Sequence, residues 1–384
     1  MTFSKKDAAR LLEVGAVVGV GALVLQWMAL GAHLESVVTP TPVAGFRGIS
    51  VLKPLCGVDD GLEENLERFA SDPYPHHELI LGLEKPDDPA APIAQRVRAR
   101  HPDKVKIVLK KKDVGLGPKI NQLAEIVRAA NPKFSVLLIS DSNIRPAAGY
   151  YHELNRAFAD PRVGCAWNPI VGAGHKTPGA MFDNMQVANV TGQVLAVRAL
   201  TGATPIVKTY AVRRSALASI GGFEPYGDIL AEDYTIGRDI HRRGWKVVAL
   251  RTPIYNWTEK KTMDSFHQRW QRWGAMQATA EGPGPALAAG LMNPIPMALG
   301  ALVLGGSLPV VGAVVAAKTA LDVSTAKALG LDAGLSEALT VPIKDLALGV
   351  AQFHGFFDRT VTWRGKPPVE MGPGTRLTRV RSPR

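Results

Sequence analysis

Residues 134–143 read Phe134-Ser135-Val136-Leu137-Leu138-Ile139-Ser140-Asp141-Ser142-Asn143, an apolar run that stops on an acid, a hydroxyl and an amide. Strands of a parallel sheet covered on both faces read as short continuous apolar runs. In open α/β sheets ligands bind beyond the carboxyl ends of such strands, which is where Asp141 stands. Outward from there, further β-like runs occur at 49–55, 78–83, 105–109 and 245–250. Amphipathic helical patterns cover 61–70, 92–100, 119–130 and 148–158. Strands alternating with helices predict an α/β unit built on a mostly parallel sheet.

The flanks of this polar middle differ from it. Residues 14–33 carry no formal charge, and a helix needs roughly 20 such residues to cross a bilayer. The run is long for a secretory signal, and Gln26-Trp27-Met28 is no small-residue cleavage site, so a retained anchor is predicted. The segment VVTPT at 38–42 serves as a spacer. A second uncharged stretch covers 282–317 and is interrupted by Pro294, Pro296 and Pro309. It predicts two segments divided near Gly305-Gly306-Ser307, or a re-entrant pair. A third apolar stretch, 335–357, carries Lys344-Asp345, charges that belong at an interface or in the protein's interior. The tail is basic, with Arg376, Arg379, Arg381 and Arg384. The expected organisation is an anchor and spacer over 1–45, a catalytic domain over 46–280, membrane segments over 281–360 and a basic tail over 361–384.

Composition agrees with a polar unit between apolar flanks. The 384 residues are 46% hydrophobic and 21% charged, which excludes a disordered chain. The mean hydropathy of +0.03 averages the two kinds of segment. Cys56 and Cys165 are too few for a disulfide framework or a four-cysteine zinc site, and both read as small buried apolar side chains. The formal charge of +11 suits an anionic partner: nucleic acid, a phosphate-bearing substrate or an acidic membrane face. Neither GxGxxG after the first strand nor GxxxxGK[ST] occurs, against a dinucleotide dehydrogenase and a P-loop NTPase.

Four further segments carry chemistry. Asp88 follows the 78–83 run, so it and Asp141 converge on one crevice, where carboxylates hold a ribose hydroxyl or a hard cation on a diphosphate. Asp88 equally suits a cap for the next helix. Lys119 and Asn121 begin a helix after Gly115-Leu116-Gly117-Pro118, where a cation and an amide can meet a phosphate or a nucleobase. Glu232-Asp233 opens another helix; the pair reads as dipole-favoured capping or as a general base beside an acceptor hydroxyl. In His267-Gln268-Arg269-Trp270-Gln271-Arg272-Trp273, Arg269 and Arg272 share a helix face suited to gripping a diphosphate. The same stretch also suits an amphipathic helix at a membrane surface.

In order, Asp88, the DSN at Asp141, the AEDY with Asp233 and the RWQRW of 269–273 resemble the D, D, D, (Q/R)xxRW signature of processive and lipid-directed glycosyltransferases of the GT-A fold. Closer still, SVLKPL at 50–55, GPKINQL at 117–123, ILAEDY at 229–234 and Trp363-Arg364-Gly365 are similar to glycosyltransferase family 21, the ceramide glucosyltransferases. Each motif alone is short, but the resemblance runs from the anchor to the tail. It implies a GT-A Rossmann-like domain with N-terminal and C-terminal membrane helices. The implied reaction moves glucose from UDP-glucose to the primary hydroxyl of ceramide, with inversion. By position, Asp88 contacts the uridine, Lys119 and Asn121 help bind the donor, and Asp141 serves a metal–diphosphate site with Asn143 nearby. Asp233 is the base, while Arg269, Arg272 and Trp273 hold the diphosphate and border the acceptor. A divalent metal, Mg2+ or Mn2+, is implied at Asp141. The third position of the DxD is Asn143 rather than an acid, which leaves one carboxylate fewer. A single displacement requires one base and no covalent nucleophile, in keeping with the absence of a Ser-His or Cys-His pairing.

Neighbouring readings are the same chemistry on a hopanoid, a diacylglycerol or a polyprenyl phosphate, a polysaccharide synthase, and a non-enzymatic basic membrane-binding protein. Lys5, Lys6 and Arg10 ahead of the first apolar run favour a cytoplasmic N-terminus, and one crossing would then put the domain outside. UDP-sugars are cytosolic, so the expectation is an integral protein of a bacterial inner membrane with its catalytic domain facing the cytoplasm. The first segment is then monotopic or re-entrant. The expected partners are a UDP-sugar, a membrane lipid acceptor and the bilayer, with no nucleic acid.

Overall fold

The computed structural model describes residues 4–36, 45–201, 208–280, 284–363 and 366–380. The spacer at 38–42, Arg364, Gly365, Arg381 and Arg384 lie outside the described residues. Helix α1 (Lys5–Glu35) starts on a capping box, with Asp7 N–H donating to Ser4 Oγ at 3.2 Å and Ser4 N–H to Asp7 Oδ2 at 3.0 Å. Strict alternation follows: β1 (Ile49–Leu55), α2 (Leu62–Ala70), β2 (His77–Leu83), α3 (Ala91–Arg100), β3 (Val105–Leu109), α4 (Pro118–Ile126) and β4 (Val136–Ile139). The chain continues through β5 (Ile144–Pro146), α5 (Tyr150–Ala157), β6 (Val163–Trp167), β7 (Ile170–Ala173), α6 (Pro178–Thr201), β8 (Tyr210–Arg213) and α7 (Arg214–Ser219). Then come α8 (Glu232–Arg242), β9 (Lys246–Ala249), β10 (Ile254–Trp257) and α9 (Met263–Thr279).

The main sheet has the order β3-β2-β1-β4-β8-β6-β9. Strands β1 to β4 are parallel and β9 runs parallel to β6, so the sheet is mostly parallel as expected, with β8 alone antiparallel to both its neighbours. Alternate residues feed two cores. Leu52, Ile80, Leu137 and Ile139 pack with residues of α4 and α6, whereas Val51, Leu79, Leu81, Val136 and Leu138 pack with α2, α3 and α5. Both faces are covered, which is why these strands read as unbroken apolar runs. In register, Leu52 lies between Ile80 and Ile139, so β1, β2 and β4 end at one edge. Cys165 is buried in this sheet; Cys56, expected to be buried, is exposed just past the end of β1.

The apolar flanks form α1, α10 (Gly284–Leu291), α11 (Pro294–Val303), α12 (Leu308–Ala328) and α13 (Leu335–Phe357). Among the described residues, α1 and α12 are long and apolar enough to cross a membrane. The break expected near Gly305-Gly306-Ser307 separates α11 from α12. A Cβ on Gly19 of α1 would lie 2.4 Å from the Leu291 carbonyl oxygen, so glycine lets these helices touch. Helices α9 and α13 meet in the same way, since a Cβ on Gly355 would lie 2.1 Å from the Gln271 carbonyl oxygen.

Lys344 and Asp345 are buried, as their place in an apolar run requires. Lys344 Nζ lies 3.1 Å from Asp322 and 2.5 Å from Asp345, and Lys318 Nζ lies 2.5 Å from Asp322 and 3.3 Å from Asp345. Gln186 of α6 accepts a further hydrogen bond from Lys344 at 3.1 Å. The segment expected as a basic tail carries a three-stranded antiparallel sheet of β11 (Thr360–Val361), β12 (Val369–Met371) and β13 (Leu377–Arg379). It is stitched to the loop before α8: Leu230 N–H donates to the Thr375 carbonyl at 3.0 Å and Leu377 N–H to the Asp228 carbonyl at 2.7 Å.

Candidate active site

The edge where β1, β2 and β4 end carries the site. Lys53, an amine within the apolar strand β1, is buried and runs beneath the DSN turn. Its Nζ donates to the Asp141 carbonyl at 2.6 Å and to Ser140 Oγ at 3.0 Å, and sits 4.3 Å from the centroid of the Phe69 ring. Burial pushes its pKa down to about 7. Asp88 Oδ1 accepts from Gly57 N–H at 3.0 Å and Ala90 N–H at 2.8 Å, clasping the end of β1 to the loop after β2. Asn121 Oδ1 accepts from Val114 and Gly115 N–H at 2.8 and 3.0 Å, which shapes the loop entering α4. Gly115 has to be glycine, because a Cβ there would lie 2.2 Å from the Gly227 carbonyl carbon.

Past this edge lies a cavity of about 200 Å³ with a polar and an apolar side. Lys119, Asp141, Glu232, Asp233 and Arg272 line the first; Ile229, Leu230, Met276 and Trp363 line the second. Lys119 Nζ bridges Asp141 at 2.9 Å and Glu232 at 2.8 Å. Lys208, two residues before β8, approaches from the other side, its Nζ 3.5 Å from Asp141 Oδ2 and 3.4 Å from Asn143 Oδ1. That ammonium also donates to Asn256 Oδ1, which accepts from the Asn143 amide at 3.1 Å. Asp233 is held by backbone: its Oδ2 accepts from Lys208 N–H at 2.6 Å and its Oδ1 from Tyr234 N–H at 2.8 Å.

Burial opposes every charge here, and neighbours decide the sign. Desolvation works against ionised Asp141, but Lys119 and Lys208 outweigh it and hold the carboxyl at about 2. Burial raises Glu232 to about 7 despite Lys119. Asp233 is also raised, by burial first, with Lys119 and the N–H of Lys208 pulling the other way. Lys119 sits well above the ordinary lysine range, because Asp141 and Glu232 more than offset its burial. The site therefore holds one firmly ionised acid, Asp141, and two acids, Glu232 and Asp233, that burial makes easier to protonate.

Of the nine residues expected from the sequence, Lys119, Asp141, Asp233 and Arg272 line the cavity together. Asn143 adjoins it through Lys208, while Asp88 and Asn121 shape its loops. Arg269 turns away: its Nη1 pairs with Asp183 of α6 at 2.5 Å, and Asp183 also accepts from Lys261 at 2.8 Å and from the Trp270 indole at 3.1 Å. Trp273 packs on Trp270, with ring centroids 5.3 Å apart. Sequence reasoning missed Lys208 and Asp183, which lie in no motif. It also gave no role to Lys53, although an amine in the apolar run SVLKPL is a visible signal.

A divalent cation at Asp141 would find the Lys119 ammonium already seated between that carboxylate and Glu232. The two oxygens of Asp141 face Lys119 and Lys208, and Asn143 offers an amide in place of a second acid. Among the described residues no three His, Cys, Asp or Glu side chains gather to hold a metal. These donors do not fit a divalent cation held by the protein.

The chain is 28% identical over 250 residues to ceramide glucosyltransferase 1 of Caenorhabditis elegans, covering 63% of this chain and 52% of that protein. It is 27% identical over 229 residues to ceramide glucosyltransferase 3 of the same organism, covering 59% and 50%. The chain thus spans about half the length of the curated relatives it matches. In structure it is similar to the mannosyltransferase PcManGT from Pyrobaculum calidifontis, solved with GDP-Man and Mn2+, at a TM-score of 0.53 and 19% identity over 89% of this chain and 99% of that one. That likeness shows an α/β fold of the GT-A kind. Residues 11–376 match Glycosyl transferase family 21, and the chain belongs to that family.

Proposed function

We propose that this glycosyltransferase moves glucose from UDP-glucose to the primary hydroxyl of ceramide, inverting the anomeric carbon to give β-glucosylceramide. The observation that carries the reading is Asp233, a carboxylate fixed by two backbone N–H groups on the wall of a cavity that also presents Lys119 and Arg272. Asp233 takes the proton of the acceptor hydroxyl as its oxygen attacks the anomeric carbon. Burial keeps the carboxylate basic, as general-base work requires. Negative charge grows on the departing diphosphate, and Lys119 and Arg272 stand ready to meet it. Asp88 and Asn121 hold the loops that receive the nucleotide, and Asp183 fixes Arg269 so that α9 keeps Arg272 on the cavity.

The apolar side suits a lipid. Met276 and Arg272 project from α9, whose other face packs on α13, so α9 lies between the cavity and the apolar helices. Large side chains Leu335, Leu339, Ile343, Val350, Phe353 and Phe357 are exposed along α13 at helical spacing. In this reading they, with α1 and α12, seat the enzyme in a bacterial inner membrane, with the catalytic domain on the cytoplasmic side. Mass spectrometry of products, with UDP-glucose, UDP-galactose, UDP-glucuronic acid and UDP-GlcNAc each offered against ceramide, diacylglycerol, hopanoid and polyprenyl phosphate, tests the proposal. Hexosylceramide from UDP-glucose is expected; product on another lipid alone would overturn the acceptor.

A further inference from the structure

We propose that the ammonium groups of Lys208 and Lys119 occupy the cation position at the DSN turn and bind the donor's diphosphate there, so that nucleotide binding needs no divalent metal. The inference rests on the glycosyltransferase reading for its ligand, a nucleoside diphosphate. Its evidence is the arrangement around one carboxylate. Asp141 Oδ1 is 2.9 Å from Lys119 Nζ and Asp141 Oδ2 is 3.5 Å from Lys208 Nζ, so two ammonium groups flank the acid from opposite sides. A second acid at the third position would complete a metal pair, but Asn143 directs its amide oxygen to Lys208 at 3.4 Å. An incoming divalent cation would have to displace both ammonium groups against like-charge repulsion.

Lys208 is also the only described non-glycine residue besides Thr375 with a positive φ, 60°. Residues held in such sparsely populated conformations persist where surrounding structure over-determines them, and they cluster at ligand clamps. Here the backbone N–H is spent on Asp233 and the side chain on Asp141, Asn143 and Asn256. One residue therefore ties the proposed base to the diphosphate site. An ammonium has three donors and no acceptor, which suits phosphate oxygens.

The test is calorimetric binding of UDP, GDP and inorganic diphosphate to the full chain in nanodiscs, in EDTA and in Mn2+. At least one of the three is expected to bind in EDTA within about threefold of its affinity in Mn2+. Lys208→Gln should weaken that metal-free binding by about tenfold, the worth of one charged hydrogen bond. No diphosphate bound in EDTA, or Lys208→Gln binding like the wild type, would overturn the inference. Asn143→Asp serves where Lys208→Gln fails to fold. By Mn2+ electron paramagnetic resonance it should bind the free ion about tenfold tighter than the wild type, because a second carboxylate then completes the pair. Equal Mn2+ affinity in the two proteins would count against the lysines. GDP bound in EDTA while UDP is not would remove the UDP-glucose reading and leave the lysine inference standing.

Discussion

The molecule holds two clusters of lysines and acids, built from the same side chains and put to different ends. Between α12 and α13, Lys318, Asp322, Lys344 and Asp345 are each at most 1% exposed, and every charge faces two of opposite sign. That quartet is neutral, closed and enclosed by apolar helices. A buried charge set of this kind is tolerated when fully paired, and it fixes how helices register. At the cavity, Lys119 is 27% exposed and Asp141 24%, and the pairing opens onto empty space lined by Arg272. Closure makes a structural lock, and an opening makes a binding site. Helix α6 joins the two, with Asp183 holding Arg269 at one end and Gln186 meeting Lys344 one turn on.

The contrast can be broken from either side. The largest expected effect is on the open cluster: Asp233→Asn should cut kcat by about 10²–10⁴, the worth of a general base, while calorimetry finds donor affinity little changed. Next comes the closed one. Lys344→Met leaves two buried acids short of a cation and should cost about 3–5 kcal/mol, read as a lowered Tm in detergent, whereas replacing all four charges with apolar residues should be close to neutral. Lys119→Met should raise the donor KM by about tenfold, the loss of one charged contact, and lower Tm by less than Lys344→Met does. Equal Tm losses from the two lysine variants would erase the distinction between lock and site.

The smallest effect is on pH dependence. Asp233 works as a base only when unprotonated, and burial raises its pKa. The acid limb of kcat/KM should therefore lie above the ordinary aspartate value of about 4, with activity rising with pH through it. A profile flat down to that value would show that the base is not buried as described.

How much of this was legible depended on how local each signal is. Strands β1 to β4 stood out because helices cover both their faces, so apolar residues run unbroken. Helix α6 did not, since Asp183, Asn184, Gln186 and Asn189 are buried along it and interrupt any apolar stripe. Strand β8 has only four residues, and its antiparallel place between β4 and β6 is a long-range fact. The same holds for the C-terminal sheet, which reads as a basic tail until Thr375 and Leu377 are seen bonded to the loop before α8. In the site, Asp141 and Asp233 were visible because one ends a strand and the other begins a helix. Arg269 and Arg272 share a helix face, but only the position of Asp183 decides which of them faces the cavity. Lys208 becomes visible only when the fold brings it to Asp141.

The most direct test of the central claim, a single displacement with Asp233 as base and no covalent enzyme intermediate, is the anomeric configuration of the product. Purified wild-type protein given UDP-glucose, an α-linked donor, and ceramide should yield β-glucosylceramide, identified by the anomeric proton coupling in NMR. An α-linked product would contradict the account, because a single back-side displacement inverts the anomeric carbon.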